Sequence, residues 1–113
     1  MSNRYYYTWI RKDLTEAQRI IQTAHACYEI ALRLDTPDDD TPSSMVLFEV
    51  QNQKELLKVA MFLNEKIPGQ YHLFYEPDPL PDERRPMGYT AIATMPFEGD
   101  ERELFNSFKM FKS

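Results

Sequence analysis

Residues 5–34 read YYYTWIRKDLTEAQRIIQTAHACYEIALRL, and the fold turns on where the strand in this stretch ends and the helix begins. Residues 5–10, YYYTWI, combine aromatic and β-branched side chains on both faces, which predicts a central strand. Arg11–Lys12–Asp13 then leads to Thr15, a good helix N-cap. Gln18 follows three positions later, so the tetrapeptide 15–18 reads as a capping box, and Glu16 suits the positive end of the helix dipole. Ile20, Ala24, Cys27, Tyr28 and Ala31 recur at helical spacing and predict the buried face. Gln18, Gln22, His25 and Glu29 then form a flanking polar stripe, because successive residues step about 100° around the axis. On this reading Ala24→Asp destabilises the fold and Gln22→Ala costs little.

The pattern repeats downstream. Residues 44–50 predict a second strand. Residues 52–67 predict a second helix, with Asn52 as N-cap and Leu56, Leu57, Ala60, Met61 and Leu63 as its buried side. Residues 71–75 and 89–95 predict two further strands, joined by a proline-rich segment at 76–88 that excludes a helix. With no helix between them, these two strands are expected to be antiparallel. Asp100 followed by Glu103 suggests a capped C-terminal helix over 99–111, with Leu104, Phe105, Phe108 and Phe111 facing the core. The order β-α-β-α-β-β-α predicts an α/β fold: a single domain spanning 1–113, three layers (α/β/α), and a four-stranded mixed sheet.

With 113 residues, 42% hydrophobic and 27% charged, the chain can bury a core without disulfides or metals. Cys27 is the sole cysteine, which excludes an internal disulfide and fits a reducing compartment. The first residues lack a secretory pattern, and no stretch approaches the ~20 apolar residues of a membrane span. A cytoplasmic protein with no membrane partner is therefore expected. The net charge of −5 weighs mildly against nucleic acid, although much of the acid lies in residues 34–42, read as an acidic loop.

Glycines occur only at 69, 88 and 99, so no phosphate-cradling loop exists, and the chain has no G-x-S-x-G elbow. Two histidines make a histidine-rich metal site a poor fit, and no cofactor is implied. His25 offers a hydrogen-bonding or acid–base group on a helix edge, against the plainer role of a histidine wedged between core and solvent. Asp78 follows the third strand, where α/β sheets bind ligands, or is simply a turn residue between prolines. Arg84 and Arg85 could fork onto phosphate or balance Asp82 and Glu83. Arg11 and Lys12 sit at the strand-to-helix junction, near the positive end of the helix.

The motifs at these positions resemble the type 2 peptidyl-tRNA hydrolases. The family's R-x-D-L followed by Q-x-x-H-A corresponds to Arg11–Leu14 and Gln22–Ala26. Its Asp-Ala-Gly-Arg-Thr and Pro-Gly-Thr-x-Thr, counted back without a gap from residues 90–96, place Pro86 on the proline and Asp78 on the aspartate. The resemblance implies cleavage of the ester between peptide and tRNA. Asp78 would orient water, His25 and Gln22 would support the site, and Arg11, Lys12 and Arg19 would hold tRNA phosphates. Family members are often dimeric, which makes a homodimer a further expectation.

The departures are equally specific. The family's helix lysine is replaced by Gln18, the residues after the aspartate become Pro79–Asp82, and the threonine of Pro-Gly-Thr becomes Gly88. Gln18 cannot supply a cation to a developing oxyanion, and Arg19 projects about 100° away. The alternative expectation is a binding or regulatory protein on the same fold, with hydrolysis lost, recognising a nucleotide, an RNA end or a protein.

Overall fold

The computed structural model describes residues 4–33, 43–80, 83–106 and 108. Four strands, β1 (Tyr5–Arg11), β2 (Ser44–Val50), β3 (Tyr71–Glu76) and β4 (Gly88–Thr94), form one sheet in the order β2-β1-β4-β3. Helix α1 (Glu16–Ala31) connects β1 to β2, and α2 (Gln53–Lys66) connects β2 to β3. β1 and β2 pair in parallel, and β4 runs antiparallel to both β1 and β3. The carboxyl ends of β1, β2 and β3 therefore share one edge of the sheet, and β4 begins there.

Alternation along the strands supplies two cores. Tyr7, Trp9, Phe48 and Ile92 project onto α2, where Leu56, Val59, Ala60 and Leu63 meet them. Ile10, Ala91 and Ala93 project onto α1, against Ala26 and Ile30. The architecture is the expected α/β/α sandwich, with β1 in the sheet interior and β3 antiparallel to β4. The caps also form as expected. Thr15 Oγ1 accepts from Gln18 N at 3.2 Å, and Asn52 Oδ1 accepts from Glu55 N at 3.0 Å. Each such cap stabilises by about 1 kcal/mol.

Three expectations need correction. The element after β4 is a 3-10 helix, η1 (Gly99–Phe105), rather than an α-helix, and Glu98 occupies its N-cap without a side-chain bond. Phe105 is buried, and Leu104 and Phe108 pack beside it; Phe111 lies outside the described residues, as does the acidic segment 34–42. Met61 is 73% exposed, and Val59 takes its place in the α2 core.

The largest correction concerns α1. Gln22, Ala26 and Ile30 face the sheet, whereas Ile20 is 68% and Tyr28 63% exposed. Ala24 and Ala31 are exposed as well. The helix carries two stripes of apolar residues, and the smaller one is buried. Ala91 and Ala93 make the sheet shallow where α1 lies, so Ala26 fits closely. Gln22 is buried without penalty because every direction its amide faces offers a partner.

Candidate functional site

Helix α1 places Gln22 over the start of β4 and the end of β3. The amide is fully buried. Its Oε1 accepts from Thr90 Oγ1 at 2.8 Å, and its Nε2 donates to Glu76 Oε1 at 3.0 Å and Gln18 Oε1 at 3.2 Å. Thr90 reaches this cluster through a β-bulge. Phe74 pairs with Ala91 but Tyr75 pairs with Tyr89, so Thr90 is the extra residue. The bulge puts Thr90 and Ala91 consecutively on the α1 face, while Tyr89 packs on the α2 side. Bulges of this kind re-aim side chains near functional sites.

Gln18 thus serves the cluster as an acceptor, and only half of the expected capping box forms, since its side chain turns to Gln22. The hydrogen bonds of the cluster among the described residues include no lysine or arginine. Glu76 and Thr90 were not singled out from sequence. Glu76 closes β3 directly before Pro77, which marks a strand-end carboxylate; the bulge that aims Thr90 leaves no pattern in the sequence.

Next to the cluster, a cleft of about 480 Å³ opens at the carboxyl edge of the sheet. Arg11, Asp13 and Leu14 form one wall, and Leu80, Arg84, Arg85 and Met87 another. Arg11 is a strut within this wall. It grips Asp13 with Nε at 2.9 Å and Nη2 at 2.8 Å, and donates through Nη1 to the carbonyls of Met87 and Tyr89. Four of its five N–H donors are thereby used within the fold. Arg84 and Arg85 are exposed and make no hydrogen bond or ion pair among the described residues. Among the described residues of this cleft, they are the cations with capacity for an anionic ligand. Arg85 also borders a second cleft of about 390 Å³, where Tyr75 and Tyr89 meet edge to face with centroids 5.0 Å apart.

The other expected site residues scatter. Lys12 and Arg19 both turn to Glu49 on β2, at 4.0 and 3.9 Å. Asp78 is exposed, and its carbonyl accepts from Met87 N at 3.1 Å, closing the loop; its side chain lines neither cleft. His25 stacks flat on Phe74, with centroids 4.8 Å apart and planes 4° from parallel. The stack gives the ring a packing role against β3. Cys27 sits 3.6 Å from Thr8 Oγ1, and burial pushes its thiol above the ordinary range, which disfavours the reactive thiolate.

His72 carries the site's neighbouring titration. Arg33 Nη2 donates to its Nδ1 at 2.8 Å. Burial first, then the Arg33 charge, hold the imidazole below its ordinary value, and Glu29 pulls the other way. The unfolded chain therefore binds this proton more readily than the folded one. Stability is full above the unfolded value of about 6.5 and falls as pH drops through it towards the lower folded value. Because the ring is partly solvated, the effect is small. The unfolding midpoint should fall slightly below about pH 6.5, and His72→Gln should flatten that slope; an identical slope in the variant would assign it to carboxylates instead.

No protein-family profile matches the chain, and no curated protein matches it. Among solved structures it is similar to a protein of unknown function, Atu0240, from Agrobacterium tumefaciens strain C58. The two share 15% identity with a TM-score of 0.66, over 99% of this chain and 100% of that one. At that identity the likeness establishes the α/β fold alone.

Proposed function

We propose that this chain is a peptidyl-tRNA hydrolase-like protein that binds an RNA end or nucleotide at the carboxyl edge of its sheet, with hydrolysis lost. One observation carries the reading: the position where the resemblance expects a lysine holds Gln18, and its oxygen is consumed by Gln22. A hydrolytic site needs a preorganised donor aimed at the developing oxyanion. Here the Gln22 amide and the Thr90 hydroxyl are committed to partners within the cluster, and the Asp78 carboxylate stands in solvent outside both clefts.

Binding is supported by Arg84 and Arg85, which have no ion-pair partner among the described residues and share the cleft with Asp13 and Leu14, just ahead of α1. Cations next to a helix start suit a phosphate. The exposed Tyr75 beyond Arg85 offers a ring on which a base could stack. The net charge of −5 makes such binding local, weak and salt-dependent.

Wild type should show no turnover of peptidyl-tRNA under conditions where a family enzyme works. It should retain tRNA binding that weakens with salt, and Arg84→Glu with Arg85→Glu should abolish that binding. Turnover that disappears in Asp78→Ala would restore the enzymatic reading. Binding indifferent to both arginine substitutions would move the ligand away from this cleft.

A further inference from the structure

Gln53 opens α2 and lays its side chain against the start of β4. Its Oε1 accepts from Tyr89 N at 2.7 Å. Only an oxygen can take that position, because a backbone N–H donates to it. The amide is therefore held in one orientation, and its Nε2 makes no hydrogen bond among the described residues. Gly88 makes the arrangement possible, since a Cβ on residue 88 would fall on the Gln53 oxygen. The result is a fixed side-chain amide whose donor is left for something outside the fold.

Gln53 lines the second cleft, of about 390 Å³, within the range of ~300–1,000 Å³ for small-molecule sites. Leu57, Met87 and the Tyr75–Tyr89 pair give this cleft apolar walls. Arg85, Pro86 and Met87 line both clefts. The two therefore adjoin along a wall three residues long, about 11 Å at most. One nucleotide spans such a wall from phosphate to base. The first cleft has a positive balance. Arg11 already bonds Asp13, which leaves Arg84 and Arg85 against Glu83.

Resting on the nucleotide-binding reading above, we infer that the two clefts form one mononucleotide site and that Gln53 determines its specificity, selecting guanine and uracil over adenine and cytosine. Arg84 and Arg85 take the phosphate. The base lies against Tyr75 with one edge at Gln53 Nε2. Guanine and uracil present a carbonyl oxygen there, which accepts from the amide. Adenine and cytosine present an amino group at the corresponding position. Two donors then meet, and neither is satisfied. Such a mismatch lowers affinity roughly tenfold.

The test is calorimetric titration of the full chain with guanosine, uridine, adenosine and cytidine monophosphates. Wild type should bind the guanosine and uridine nucleotides about tenfold more tightly than the other two. Gln53→Glu is nearly isosteric and keeps an oxygen for Tyr89 N, but it replaces the free donor with an acceptor. It should reverse the order, with an unchanged circular dichroism spectrum. Tyr75→Ala, at an exposed ring, should weaken all four by roughly tenfold and preserve the order. Equal wild-type affinity for the four overturns the inference, while loss of binding in Arg84→Glu with Arg85→Glu would still uphold the phosphate-binding reading. An order that survives Gln53→Glu also overturns it, since Gln53 then does not read the base. So does arginine-dependent tRNA binding without binding of any mononucleotide. An RNA that begins with a phosphorylated guanosine identifies the source of the ligand. Tighter binding than guanosine monophosphate supports the inference with an RNA end as ligand, and affinity no greater supports it with the free nucleotide.

Discussion

Gln22→Ala should lower stability by about 3 kcal/mol, shifting the thermal midpoint by roughly 10 °C. The truncation removes both ends of an amide that is fully buried and triply bonded. Thr90 is itself fully buried, so its hydroxyl loses its acceptor where water cannot easily replace it, a loss of ~1–3 kcal/mol. Glu76 loses a donor, and the missing atoms leave a small cavity between α1 and the sheet. Ala24→Asp, on the exposed face, should cost no more than the lower helix propensity of aspartate, about 0.5 kcal/mol. Thermal unfolding of the two variants decides the matter. If Gln22→Ala unfolds together with wild type, or Ala24→Asp unfolds first, α1 does not sit as described.

Gly88→Thr should destabilise by about 2–4 kcal/mol, although it restores the residue that the family resemblance expects at this position. Gly88 has a φ of +82°, a conformation that a β-branched residue adopts only under strain. A Cβ there would also run into the Gln53 side chain. Gln53 cannot simply withdraw, because its Oε1 accepts from Tyr89 N at 2.7 Å and ties α2 to the start of β4. Gly88→Ala should show the same defect at smaller size, and chemical denaturation of both variants measures it. A Gly88→Thr protein as stable as wild type would mean that this backbone relaxes freely. The departure at residue 88 is therefore set into the packing, and reversing it alone does not rebuild a hydrolytic site.

The strands, both caps and the layer order were legible because each rests on local chemistry. YYYTWI has a composition that only a doubly covered strand accommodates, and Thr15 and Asn52 cap because their oxygens meet backbone N–H groups three residues on. The orientation of α1 was not legible. Hydrophobic periodicity reports that a helix has an apolar face, and α1 has two. The choice between them depends on Ala91 and Ala93, which shape the opposing surface from more than sixty residues away in sequence. Of the candidate site, the exposed Arg84 and Arg85 could be singled out from their loop. Asp78 was placed by counting back from the last strand, which said nothing of where its side chain would point. Thr90 and Glu76 belong to a cluster assembled by tertiary contact, which no local window contains.

The bulge at Thr90 also acts as a phase slip in the strand. Before it, odd-numbered residues of β4 address α2; after it, even-numbered ones do. One residue thus sets the timing between the two helical layers, much as a skipped tooth sets the timing between two gears. Losing Thr90 would leave β4 with a regular ladder in which Tyr89 and Ile92 still face α2 and Ala91 and Ala93 still face α1, at the expense of the hydrogen bond to Gln22. The bulge is therefore the one place in β4 where the sheet can absorb the loss of a residue, whereas a deletion after Ala91 would swap which residues meet the two helices.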